Sequence, residues 1–169
     1  MKKLVAMMVM VMVNGTALGA ARAESRNNEL RVDLGFASTV GFGGLAYGRS
    51  LSRAVDFEAS LGAGVTGAQL GGMFKLGAGS ESHRFMVGAG LSIGTGSSLT
   101  DDAPVGWFNA EIGYQLRVKG GFTMTLGLGV TLGMAGQIRT CYIECGRDAY
   151  RDVHGSMLPT ARIGFGYRF

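Results

Sequence analysis

Apolar residues recur at every second position along most of this chain, and period-two alternation belongs to strands whose two faces meet different surroundings. The clearest stretch runs from Phe122 to Met134, where Phe122, Met124, Leu126, Leu128, Val130, Leu132 and Met134 alternate with Thr123, Thr125, Gly127, Gly129, Thr131 and Gly133. Seven further segments follow the same rule: Leu30 to Ala37, Gly44 to Leu51, Val55 to Val65, Leu70 to Gly77, Arg84 to Gly94, Trp107 to Val118 and Ala161 to Phe169. The predicted fold is therefore all-β, with eight antiparallel strands in sequence. Several segments exceed the five or six residues usual in soluble proteins and approach the roughly 9 to 11 that a tilted membrane strand needs.

Connections differ in length. Ser52 to Ala54 and Lys119 to Gly121 are tight, whereas Thr95 to Pro104 and Ala135 to Ser156 are long. Short periplasmic turns and longer external loops characterise outer-membrane barrels, and an even strand number leaves both termini in the periplasm. A soluble eight-stranded barrel would keep its apolar face inside. Its outer face would then carry Gly and Thr on the seventh segment, where soluble surfaces carry Lys and Glu. Small residues suit the concave inside of a narrow barrel, so the apolar face is assigned to lipid. Accordingly Leu128→Arg should cost about 2 to 4 kcal/mol, and Gly127→Ser should be milder.

Aromatics fit that assignment. Phe57, Phe85, Tyr114, Phe122, Tyr167 and Phe169 share the apolar face near the ends that adjoin short turns, as interfacial belts do. Arg49 interrupts that face close enough to an interface to snorkel. By parity the lumen receives Arg31, Asp33, Asp56, Glu58, Lys75, Arg84, Glu111, Arg117, Arg162 and Arg168. An eight-stranded barrel is just wide enough for side chains to fill it, so these opposite charges should pair into a plug. The alternative is a narrow pore, favoured by inward glycines that leave volume unfilled.

The two chain ends add a compartment. Lys2 and Lys3 precede an uncharged aliphatic run from Leu4 to Val13, and small residues follow to Ala21-Arg22-Ala23. This is the pattern of a secretory signal peptide over residues 1–23, cleaved after Ala23. A spanning helix would need about 20 apolar residues. Removing the segment takes Lys2, Lys3 and Arg22 but no acid, so the formal charge falls from +4 to +1. Residues 24–169 then form one near-neutral domain, with no electrostatic reason to bind nucleic acid. Thirty glycines against two prolines exceed twice the usual share of about 7 per cent, without the period of collagen. Cys141 and Cys145 would enter an oxidising compartment, where a disulfide is expected; closing so short a loop, it would stiffen a loop tip more than stabilise the domain.

Candidate chemistry is sparse. His154 and Ser156, two apart on a strand, could serve as base and nucleophile, with spacing similar to that of outer-membrane lipid A deacylases. No acidic residue follows Asp152 to orient the histidine, so no catalytic residue is expected. Cys141, Cys145 and His154 could ligate zinc, but the disulfide takes precedence. Gly62-Ala63-Gly64-Val65-Thr66-Gly67 has dinucleotide-binding spacing but opens another strand where that motif needs a helix. His83 is read as a solvated turn residue. No cofactor and no metal is expected.

The last segment carries a resemblance. Arg162, Gly164, Tyr167 and Phe169 match the carboxy-terminal targeting pattern of bacterial outer-membrane barrel proteins: polar, any, Gly, any, any, aromatic, any, Phe. With the export signal and the alternation, the chain resembles the small eight-stranded barrels of the OmpA and OmpX type. That resemblance implies insertion by the barrel assembly machinery, contact with outer-membrane lipid and lipopolysaccharide, a monomeric state, and a non-enzymatic role in envelope integrity or surface interaction. Ala135 to Ser156 is the loop expected to meet an extracellular partner. A passive pore and a lipid A-modifying hydrolase are the alternatives.

Overall fold

The computed structural model describes residues 27–96, 104–140 and 149–169. The segment read as a signal peptide and Cys141 and Cys145, the expected disulfide pair, lie outside the described residues. Among the described residues there are ten strands: β1 Asn28–Ser38, β2 Gly41–Ser50, β3 Val55–Gly64, β4 Gly67–Gly79, β5 His83–Gly96, β6 Val105–Arg117, β7 Phe122–Ala135, β8 Gln137–Thr140, β9 Ala149–Asp152 and β10 Met157–Arg168. Eight close into an antiparallel barrel in the order β1-β10-β7-β6-β5-β4-β3-β2. Closure runs along β1 and β10, from Glu29 opposite Arg168 to Phe36 opposite Ala161.

The alternation predicts these strands because each must present one face outward and one inward. Its direction is settled by exposure: Phe85, Leu76, Ile112 and Leu128 are all more than 60% exposed, whereas Asp33, Thr123 and Thr125 are fully enclosed. The barrel is apolar outside and polar inside, the inverse of a soluble barrel. Paired rings reinforce the outer face near the end that carries the termini, at Phe57–Phe74, Phe85–Tyr114 and Phe122–Phe165.

Three of the differences from the expected boundaries have a visible cause. The long connection after β7 is not all loop, since β8 and β9 pair as a separate hairpin from Gln137 opposite Asp152 to Thr140 opposite Ala149. The final strand begins at Met157, not Ala161, and runs through Pro159. Proline is tolerated there because β1 stops pairing with β10 at Ala161, leaving Pro159 with a neighbour on one side only. Finally, β2 starts at Gly41 and ends at Ser50, so Leu51 belongs to the following turn, where its N–H donates to Val55 O.

Candidate functional site: the barrel interior

Every charged residue assigned to the lumen by parity faces inward, and the structure sorts them into a central network and a group at the mouth beside the termini. Centrally, Arg31, Lys75 and Arg162 meet Asp33, Glu58 and Glu111, three cations and three carboxylates on β1, β3, β4, β6 and β10. Arg162 Nη1 donates to Asp33 Oδ2 at 2.9 Å and Glu58 Oε1 at 2.6 Å, while its Nη2 donates to Glu111 Oε1 at 2.8 Å. Its Nε lies 2.7 Å from Glu111 Oε2 without hydrogen-bond alignment. Arg31 grips both oxygens of Asp33 and reaches Glu58, which also accepts from Lys75. Charges this enclosed persist only when paired and hydrogen-bonded, because each would otherwise lose several kcal/mol of hydration.

Nearer the termini, Arg84 Nη1 donates to Asp56 Oδ2 at 2.6 Å, and Arg117 Nη2 lies 3.7 Å from the same oxygen. Glu29 also points inward, accepting from Gln115 at 2.7 Å and Thr123 at 2.6 Å. Sequence reading missed it by starting the first segment at Leu30; one more step of the same alternation would have included it.

Glycine makes room for this network. A Cβ at Gly127 would fall 2.6 Å from Glu111 Cδ, and one at Gly164 would fall within van der Waals overlap of Asp33 Oδ1. Gly127→Ser therefore carries a steric cost that alternation alone does not show, because the carboxylate it would strike is held by Arg162.

Toward the distal end the filling changes from side chain to main chain. The β1–β2 register shifts between Leu34 and Ser38, and Ala37 takes a left-handed φ of 51°. The turn that follows folds into the barrel, leaving Thr39 and Val40 buried. Three strands hold its carbonyls: Ser60 Oγ donates to Thr39 O at 3.2 Å, Gln69 Nε2 to Ser38 O at 2.8 Å, and Thr131 Oγ1 to Ala37 O at 2.7 Å. The single Thr131 proton is contested by Asn109 Oδ1, also at 2.7 Å. From the other side Val153 packs with Val105 and Trp107, and Leu158 adjoins them. No periodicity announces this inward turn, and its neutral partners drew no attention in the sequence.

Two small cavities are bordered by described residues. One of about 30 Å³ lies between the inward turn and Trp107, Thr131 and Leu158. The other, about 20 Å³, opens beside the termini and is lined in part by Arg117, Arg168, Asp56 and Gln115. Each has room for about one water molecule.

His154 and Ser156 sit in the turn between β9 and β10, not on a strand. Ser156 Oγ donates to Val153 O at 2.6 Å, and His154 Nδ1 donates to Met134 O at 2.8 Å. No hydrogen bond joins the two side chains, which are occupied in shaping the turn. His83 bonds Tyr114 through its ring Nδ1 and so has a specific partner at the terminal rim. Arg49 is exposed on the outer face, as expected. Of the targeting pattern, Arg162 and Gly164 point into the lumen, while Tyr167 and Phe169 lie exposed outside.

No family model matches this chain, and no curated protein matches it. Among solved structures, the solution NMR structure of the E. coli Outer Membrane Protein W aligns with a TM-score of 0.49 at 14% identity, covering 88% of this chain and 100% of that one.

Proposed function

We propose that this chain is a non-enzymatic integral protein of a bacterial outer membrane, a plugged barrel that acts through what it displays at its distal end. The observation that carries this reading is the inverted barrel: an apolar exterior around a central network of paired charges. Only a hydrocarbon surround makes that arrangement favourable, since closed barrels satisfy every backbone group without water. Strands of 10 to 14 residues in the barrel meet the length required to cross at a tilt.

Turns 51–54, 80–82 and 118–121 lie at the same end as the termini, and the ends of β5 and β7, from which the longer connections leave, lie at the other. By the usual asymmetry the termini face the periplasm and the β8–β9 hairpin faces outward. Export through residues 1–23, assembly through the Arg162, Gly164, Tyr167 and Phe169 pattern, contact with lipopolysaccharide, and a monomeric state complete the proposal. The rigid barrel serves as the scaffold, and recognition falls to the hairpin loop.

Gln137 pairs with Asp152, so the ends of that hairpin are adjacent and can be rejoined by a two-residue turn. Deleting Gln137 to Asp152 should keep heat-modifiable gel mobility and outer-membrane fractionation while removing binding to whole-cell partners. Loss of the folded barrel in the deletion, or recovery of the intact protein from the soluble fraction, contradicts the proposal. In planar bilayers the intact protein should show no steady conductance.

A further inference from the structure

The mouth beside the termini holds more guanidinium than carboxylate. Arg84, Arg117 and Arg168 reach it from β5, β6 and β10, facing Asp56 and Glu29. Glu29 is already engaged by Gln115 and Thr123 and lies 3.5 Å from Arg31. Asp56 spends its Oδ2 on Arg84 and, more distantly, on Arg117. Arg117 directs its Nε to Gln115 Oε1 at 2.7 Å, leaving its terminal nitrogens toward the cavity. Arg168 lines the same cavity, and no described carboxylate lies within ion-pair distance of it.

A second, independent feature lies opposite these donors. Asp56 Oδ1 is buried and takes no hydrogen bond from any described residue. A carboxylate oxygen so placed requires a donor, because leaving it unmet costs about 1 to 3 kcal/mol or more. The site therefore asks for a ligand with charged oxygens on one side and an O–H on the other.

We propose that this mouth binds hydrogenphosphate, with its ionised oxygens on Arg117 and Arg168 and its P–O–H donated to Asp56 Oδ1. The cavity admits one oxygen-sized group, and the rest of the ion stays in the open mouth. Arginine presents paired N–H donors that match phosphate oxygens. Sulfate has the same shape but no proton at neutral pH, so it sets a lone pair against the Asp56 carboxylate and is rejected. The site depends only on the barrel interior and not on which side of a membrane this mouth faces.

The test is calorimetric titration of the full protein, folded in detergent at pH 7.5 and constant ionic strength in chloride, with inorganic phosphate and separately with sulfate. Phosphate should bind about tenfold or more tightly than sulfate. Arg117→Gln combined with Arg168→Gln should weaken phosphate by about tenfold or more, with folding checked by heat-modifiable mobility. The single Arg168→Gln change, at the half-buried end of β10, serves if the double variant fails to fold. Asp56→Asn should erase the preference for phosphate over sulfate. Equal binding of the two anions by the unaltered protein overturns the proposal, as does phosphate binding that survives the arginine changes.

Discussion

Around Glu58 the barrel is filled by side chains reaching in from five strands, with full charges in balance, whereas beneath the distal mouth it is filled by a turn of main chain held by neutral donors. Both solutions fill the lumen, but they fail differently. An ionic network is strong only while it is complete, because removing one member strands its partners in a low-dielectric interior. A turn held by hydrogen bonds to its carbonyls loses about 1 kcal/mol per bond and can settle again around the gap.

The sharpest way to break that contrast is at the shared carboxylate. Glu58→Gln leaves Arg31, Lys75 and Arg162 with one counter-charge too few and should cost about 3 to 5 kcal/mol, read by urea unfolding of the protein in lipid vesicles. A loss under about 1 kcal/mol would show that water reaches the network. The outer face that makes both fillings necessary comes next. Leu128→Arg, near the middle of β7 and 62% exposed, should cost about 2 to 4 kcal/mol in vesicles. An unchanged midpoint would deny that this face meets hydrocarbon.

Smaller effects separate the halves by shape. A Cβ at Gly62 would stand 2.2 Å from Val40 O and 2.5 Å from Gly43 O. Gly62→Ala should therefore push the inward turn away and cost about 1 to 3 kcal/mol, with new conductance in planar bilayers if the turn leaves the lumen. Gly127→Ser, which strikes Glu111, should cost a similar amount without opening a path. Conductance from the second variant and not the first would reverse which half seals the barrel. At the weak end, Thr131→Val removes the hydroxyl that donates to Ala37 O and should cost about 1 kcal/mol. A loss as large as that of Glu58→Gln would mean the turn is no softer than the network.

The two halves were unequally legible in the sequence. Parity placed Arg31, Asp33, Glu58, Lys75, Glu111 and Arg162 inside because a strand has only two faces, and a charge opposite an apolar row can go only one way. Parity did not say which would touch which, since pairing depends on register between strands far apart in sequence, such as Asp33 with Arg162. The inward turn was not legible at all. Its burial arises from a register shift after Leu34 and a left-handed Ala37, and neither leaves a periodic trace. The extension of β10 back through Pro159 left no trace either, because a proline fits a strand where one neighbour is missing, and the point at which β1 stops pairing with β10 is not readable from the sequence. The β8–β9 hairpin escaped because four-residue strands are too short to establish a period.

The account rests on which face meets lipid, and the molecule carries its own probe. Trp107 is the single tryptophan and is 6% exposed inside the barrel. In vesicles of lipids brominated along their acyl chains, emission from Trp107 should be almost unquenched. Leu128→Trp in a Trp107→Phe background should be strongly quenched. Strong quenching of Trp107, together with an unquenched tryptophan at position 128, would contradict the assignment of faces.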